Sequence, residues 1–345
     1  MCERPLRAAV VGCGAVTERY HLPALLASPD VEVVACVDPS LERARSLAER
    51  VRAPLALDGH AGLAGSVDLA LVAAPNAVHE RIAVDLLSAG VHVLVEKPMA
   101  RSAAECDRMI EAAAATGAVL SVGHAYRHYP VARFAHELFA AGALGAVRRV
   151  DVRQNAGGRW PAASTAVLTR EAGGGVLLDI GVHTLDLLLW WLGDLRVVAY
   201  RDDAAGGVES ECEAELELGG GAPVAVELSR TRNLRDTTIV KCERGVVEIG
   251  IYEPAVVRLA MVGGGTTLAG GVPDADFERA PVQTLFARQL ADVVAAVRHG
   301  APPLVGGREG RRAVALVEEC YALRRPLRRP WDYPEAYAAI GRTGP

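Results

Sequence analysis

One stretch near the N-terminus limits the fold more than any other. Ala8 to Val11 is a short apolar, β-rich run that enters Gly12-Cys13-Gly14-Ala15-Val16-Thr17, and a helix-like segment follows through about Ala27. A strand, a glycine turn and a helix in direct succession form the repeating unit of parallel α/β sheets. Gly12 permits the tight turn. Gly14 lets the backbone approach a pyrophosphate, which would rest on the positive end of the helix that Ala15 and Val16 begin. The third glycine of the fingerprint is absent and Thr17 occupies its place. An ordinary glycine turn is therefore the competing reading of this segment taken alone.

The next hundred residues favour the dinucleotide reading. Val31 to Val37 reads as a second strand ending at Asp38, where a carboxylate can bond the two ribose hydroxyls of NAD and would repel the 2′-phosphate of NADP. Helix capping before Pro39-Ser40 is compatible with this. Arg43 could pair with a phosphate, but on a helix with Glu42 and Arg45 it reads as solvated surface. Strand and helix patterns then alternate: Leu69 to Ala74, Val78 to Ala89, Val91 to Val95, Ala103 to Ala115, Ala118 to Val122. The expected product is a doubly wound parallel sheet, whose ligands bind at the carboxyl ends of the strands. Pro75, Asn76 and His79 lie at one such end and Glu96, Lys97 and Pro98 at another. Asn76 and His79 read as cofactor-edge residues, with capping as the alternative. A lysine beside a nicotinamide could exchange a proton as an alcohol and a ketone interconvert, provided that burial or positive charge lowers its pKa; on spacing alone, an ordinary surface lysine is the competing reading.

A second polar signal lies within the most apolar part of the chain. Glu171 to Gly193 reads EAGGGVLLDIGVHTLDLLLWWLG, in which Asp179, His183 and Asp186 share one helical face and leucines and tryptophans fill the others. Polar groups in so buried a helix must be paired or must line a cavity. The stripe is read as the floor of an active site. Its Asp and His also argue against a membrane span.

Taken together, GCGAVTERYHLPAL, AAPNAVH, EKP and GGGVLLDIGVHTLD resemble, in order and spacing, the glucose–fructose oxidoreductase / inositol dehydrogenase / MocA family over roughly residues 5 to 325. The resemblance implies a Rossmann domain (1–123), a substrate-binding α/β domain with a large open, mainly antiparallel sheet (124–328) and a peripheral tail (329–345). It also implies that Lys97, Asp179 and His183 form the catalytic group. His183 would match a proton-transferring histidine, and Asp179 a residue that orients the substrate hydroxyl or the histidine. Tyr126 and Arg127 match a segment near the substrate. Trp160 lies in the region, 155–172, that overhangs the sugar, where it reads equally as a stacking platform or as a packing anchor. His21 and Pro23 match the HxPA segment.

Beyond the apolar helix, strands are expected at about 195–201, 210–218, 222–230, 236–242, 245–251 and 254–261, then amphipathic helices at 282–299 and 307–324. Glu209, Glu211, Glu213, Glu215 and Glu217 alternate with small or apolar residues, which puts five carboxylates on one sheet face. This reads as a solvated or inter-subunit face offset by arginines such as Arg230 and Arg232. Attraction of a cationic substrate is the alternative. Family members pair through this sheet, so a homodimer or homotetramer is expected.

The function that follows is NAD-dependent oxidation of a secondary hydroxyl of a sugar, glycoside or cyclitol, or the reverse, with NADP less favoured. Sugar-modifying members, including those of aminoglycoside pathways, look similar around 160–193. An NAD-retaining glycosidase and a non-catalytic NAD-bound sensor are the alternatives. A net charge of −5 gives no reason to expect nucleic acid. Seven cysteines without a CxxC pair fit a reducing cytoplasm. No metal site is expected, because no second histidine lies at ligand spacing from His183.

Overall fold

Six strands form a wholly parallel sheet in a computed structural model, which describes residues 4–155, 169, 174–205, 207–250, 256–263 and 267–327. They are β1 (Leu6–Val11), β2 (Val31–Val37), β3 (Leu55–Leu57), β4 (Leu69–Val72), β5 (His92–Val95) and β6 (Leu120–Val122), in the order β3-β2-β1-β4-β5-β6. Both faces are covered, as the near-continuous apolar character of β1, β4 and β5 requires. Helices α1 (Leu22–Ala27) and α2 (Leu41–Val51) pack on one face, and α3 (His79–Ser88) and α4 (Ala103–Thr116) on the other. The order reverses between β1 and β4, so the crevice for a ligand opens beside the turn after β1. Strand β3 was not legible in the sequence: its three residues pair only with the end of β2 and are too few to carry a periodicity.

Helix α5 (Pro130–Ala140) leads into the second sheet. Its strands are β7 (Val147–Asn155), β8 (Leu195–Asp202), β9 (Glu211–Leu218), β10 (Pro223–Ser229), β11 (Thr237–Cys242), β12 (Gly245–Ile249), β13 (Val256–Met261), β14 (Thr267–Gly271) and β15 (Arg324–Pro326). The order is β14-β13-β12-β11-β7-β10-β9-β8-β15, antiparallel except at β7–β10 and β8–β15. One face packs on α6 (Val182–Leu192), whose Leu185, Leu188 and Trp191 join Val150, Val152, Leu216, Val226 and Leu228 in one core. The other carries cross-strand ion pairs: Arg196–Glu217, Arg201–Glu215, Arg153–Glu227, Lys241–Asp151 and Arg235–Glu248.

The glutamate row of β9 does not behave as one charged face. Glu213, Glu215 and Glu217 follow the expected alternation, but Glu211 is buried and Glu209 lies buried just before the strand. Glu211 accepts from Arg232 Nε at 2.8 Å and from Ser229, while Glu209 accepts from Leu177 N at 3.0 Å and Tyr321 Oη at 2.9 Å. Glu209 thus ties the sheet to the helices beneath it, while Glu211 ties β9 to the end of β10.

Helices α7 (Ala275–Arg279), α8 (Pro281–His299) and α9 (Gly307–Ala322) carry the chain back to the first sheet. Leu290, Val293 and Val294 of α8 join the core under β1 and β2. Gly307 and Gly310 let α9 approach closely: an added Cβ would lie 2.8 Å from Ile110 and from Val122 respectively. The two sheets are thus clamped by α9, with Val314 in one core and Leu316 and Val317 in the other.

Candidate active site

The turn after β1 is built for close backbone approach. Gly12 has φ +99°, and a Cβ there would lie 2.5 Å from the carbonyl oxygen of Ala73, a backbone atom that cannot move aside. At Gly14 a Cβ would meet nothing within 4 Å, so the space above that peptide is open. Ala15 and Val16 begin the helical segment, whose next turn, Thr17–His21, is wound as a wide π-helix before α1. Thr17 replaces the third glycine without loss, because its buried hydroxyl donates to the carbonyl of Gly12 at 2.5 Å and pins the loop. An open Gly14, the helix start and Asp38 at the end of β2 fit a dinucleotide, whose nicotinamide would supply hydride chemistry at the crevice.

Asp38 is buried and more fully occupied than its position at a strand end suggested. One oxygen accepts from Cys13 N at 3.0 Å. The other accepts from Ser40 N at 2.8 Å and from Arg43 Nε and Nη2 at 3.1 and 2.9 Å. Arg43 is therefore not simply solvated surface. It closes over the carboxylate and is held there, with about half of its side chain, 51%, still open to solvent.

The ends of β4 and β5 are tied together from below. His79 is buried with Nε2 2.7 Å from the carbonyl of Ala74 and Nδ1 3.0 Å from that of Pro98. The ring thus braces the loop carrying Pro75 and Asn76 against the Glu96-Lys97-Pro98 corner, where the Lys97–Pro98 peptide is cis. Glu96, also buried, accepts from Lys97 N at 3.0 Å and lies 2.7 Å from His21 Nε2. Burial alone would raise its pKa, but His21 and Lys97 outweigh it and hold the carboxyl below its ordinary value.

Lys97 reaches across to the second domain. Its Nζ donates to Asp179 Oδ1 at 2.8 Å and to the Asp179 carbonyl at 2.9 Å. Asp179 sits in a second π turn, Leu177–Gly181, at the start of α6. Gly181 lets that turn lie close against β10, since a Cβ would lie 2.6 Å from a methyl of Leu228. The other oxygen of Asp179 accepts from Arg230 Nη2 at 2.5 Å. Burial works against the Asp179 charge, yet the two cations win and bring its pKa down to about 2. The same pairing corrects the expectation for Lys97. Burial would lower its pKa, but Asp179 overrides burial and raises it, so this lysine is held as an ammonium.

The polar stripe of α6 divides among three tasks. Asp179 meets Lys97. One turn on, His183 stacks on Tyr126 with centroids 4.2 Å apart and planes 13° apart. Burial first, then the charge of Lys97 and the neighbouring His124, hold its pKa well below the ordinary 6.5, so His183 is a neutral imidazole at pH 7. Asp186 takes Arg127 in a forked pair at 2.7 and 2.9 Å, both residues almost wholly buried. Arg127 also donates to the Leu304 carbonyl and lies over the Trp190 ring, so its guanidinium is spent inside the protein. Trp160 lies outside the described residues.

Two residues of this site escaped the sequence reading. Arg230 was set against the glutamate row, whereas its guanidinium turns to Asp179 from the end of β10. His124 lies two residues past the end of β6, and the rule that points to strand carboxyl ends would have flagged it. The geometry as a whole brings a neutral imidazole and a fixed ammonium together past the ends of β5 and β6, a pairing suited to moving a proton and a hydride at one carbon.

Residues 6–124 match the family model described as an oxidoreductase family with an NAD-binding Rossmann fold, and residues 132–248 match the GFO/IDH/MocA C-terminal domain. A putative UDP-kanosamine synthase oxidoreductase subunit from Amycolatopsis mediterranei is 31% identical across 92% of this chain and 95% of its own. The chain belongs to the GFO/IDH/MocA family. Like other members it is an NAD(P)-linked oxidoreductase acting on sugar or cyclitol hydroxyl and keto groups. It is also 28% identical to the D-glucoside 3-dehydrogenase of Escherichia coli K12, over 70% of this chain and 74% of that one. Among solved structures it resembles an aldose–aldose oxidoreductase from Caulobacter crescentus complexed with glycerol, with TM-score 0.82 and 25% identity over 93% of this chain and 97% of the other. No helix among the described residues is long and apolar enough to cross a membrane.

Proposed function

We propose that this enzyme oxidises the 3-hydroxyl of a hexose held in glycosidic or nucleotide linkage, or reduces the corresponding 3-ketone. The carrying observation is the charge arrangement at the domain seam. Lys97 is a fixed ammonium, Asp179 its carboxylate partner, and His183 a neutral base one helical turn away. In the oxidative direction His183 would remove the hydroxyl proton and Lys97 would steady the developing alkoxide, and a bound nicotinamide would supply the acceptor for the carbon-bound hydride. Asp179, itself anchored by Arg230, holds Lys97 in place, and Tyr126 sets the plane of His183. The ring position is supported by relatives named D-glucoside 3-dehydrogenase and dTDP-3,4-didehydro-2,6-dideoxy-alpha-D-glucose 3-reductase. The nucleotide linkage is supported by the latter and by the UDP-kanosamine relative. Neither a glycosidase nor a sensor finds support among the relatives. The test is a panel of methyl glucosides, UDP- and dTDP-hexoses and inositols with NAD and NADP, with the keto product located by NMR. Oxidation at another ring carbon would refute the ring assignment.

NAD is the proposed preferred cofactor, with weaker exclusion of NADP than Asp38 alone would give. The Arg43 guanidinium neutralises part of the carboxylate charge that repels a 2′-phosphate and remains half open to solvent. Arg43→Ala is expected to weaken NADP binding by about tenfold, the equivalent of about 1.4 kcal/mol, while NAD binding changes by less than about threefold. Calorimetric titration of both dinucleotides checks this. Equal losses for both would mean that Arg43 serves only to fix the loop.

A reducing cytoplasm is supported by the six described cysteines, all of them buried free thiols. A homodimer or homotetramer through the charged outer face of the second sheet is the proposed assembly.

A further inference from the structure

We propose that His124 is a positioning residue, which with Asp186 holds His183 in the tautomer whose Nδ1 carries the proton and whose Nε2 is free to accept one. His124 is completely buried, and neither of its ring nitrogens has a hydrogen-bond partner. Of the two nitrogens of His183, Nδ1 is likewise sealed in without a partner. Three orphaned nitrogens thus lie on two rings in edge contact, with centroids 5.6 Å apart and planes at 85°. Beyond them, His124 Nδ1 lies 3.9 Å from Asp186 Oδ2.

A neutral imidazole has one donor and one acceptor, so a single assignment satisfies this row. Asp186 accepts from His124 Nδ1–H, His124 Nε2 accepts from His183 Nδ1–H, and His183 Nε2 keeps its lone pair for the substrate. The reverse assignment leaves Asp186 facing a lone pair and makes His183 Nε2 a donor, useless as a base. Contacts of this kind are long in a resting enzyme and tighten when substrate binds, and a contraction of about 1 Å brings 3.9 Å into hydrogen-bond range. Stacking on Tyr126 fixes the plane of His183 but cannot choose between its nitrogens, since a π face bonds neither. Arg127 pins Asp186 from the far side. The charged groups facing His124 are Asp186 and Glu96, which favour its protonation, and Arg127 and Lys97, which oppose it; Lys97 and His124 both oppose protonation of His183. Burial dominates for both rings and keeps them neutral.

The inference rests on the proposed role of His183 as the base, and its first test needs no substrate. In protein carrying ¹⁵N-histidine, with and without NAD, His183 is expected as a single Nδ1–H tautomer. A wild-type His183 protonated at Nε2 would overturn the proposal. His124→Phe keeps the ring edge and removes both nitrogens, and His124→Asn serves should the phenylalanine variant fail to fold. Each is expected to give mixed His183 tautomers and to lower kcat about tenfold with KM little changed. A variant with wild-type tautomer and unchanged kcat would show that His124 is packing alone. Wild-type protein with the expected tautomer but no sugar oxidation would instead refute the reaction assignment and leave the histidine pairing intact.

Discussion

Lys97→Met is expected to lower kcat for sugar oxidation by about a thousandfold, with NAD affinity changed by less than about tenfold. Methionine preserves the length and packing of the lysine stem and removes only its charge. What is lost is the ammonium that Asp179 holds at 2.8 Å and that burial would otherwise tend to neutralise. An alkoxide forming beside His183 then has no cation to meet it. Steady-state kinetics with fluorescence titration of NAD separate the two effects. The wild-type pH profile also tests the ammonium role, because a lysine acting as a neutral base would make activity rise as pH passes its lowered pKa. The raised pKa of Lys97 places its loss of charge above the ordinary 10.5, so no such limb should appear near neutrality. On the acid side, His183 is held well below 6.5, so activity should persist as pH falls through that value. Asp179 imposes a separate acid limit on stability. Its pKa falls from an ordinary 3.8 to about 2 on folding, so its contribution is complete above 3.8 and lost as pH drops toward 2.

Asp186→Ala should cost about 3–5 kcal/mol of folding stability, the largest loss expected from any single change in the site. The reason is the partner left behind. Arg127 is 3% exposed, so its guanidinium would remain buried with only the Leu304 carbonyl and the Trp190 ring to face. Arg127→Met combined with Asp186→Leu removes both charges and is expected to recover most of that loss, since the penalty lies in the unpaired ion. Denaturant unfolding of the two variants checks this. Equal destabilisation by the single and the double change would show that packing, not charge, sets the cost.

Much of this architecture is legible in the sequence, because glycine turns and strand periodicity are local signals. The order of Gly12, Asp38 and Lys97 along the chain already implies three parallel strand ends in one crevice. The polar stripe in the helix from Val182 was equally visible, since Asp179, His183 and Asp186 stand out among leucines. Their division of labour was not. A helical wheel assumes 3.6 residues per turn, whereas the chain passes through a π turn at Leu177–Gly181 before α6 begins. Partner choice is also a tertiary property. Arg230 lies 51 residues from Asp179 and could be placed only once β10 was seen to run beside the Leu177–Gly181 turn. Arg43 shows the converse: it is five residues from Asp38, yet composition gave no sign that the chain would fold it back over that carboxylate.

Isotope transfer from a 3-deuterated glucoside to NAD in a single turnover, read by mass spectrometry of the nicotinamide, tests hydride removal from carbon 3. Deuterium on the reduced cofactor and a 3-keto sugar are expected in equal amounts, with both lost in Lys97→Met. Cleavage of the glycoside with the cofactor unreduced, or deuterium retained on the sugar while another carbon is oxidised, would contradict it.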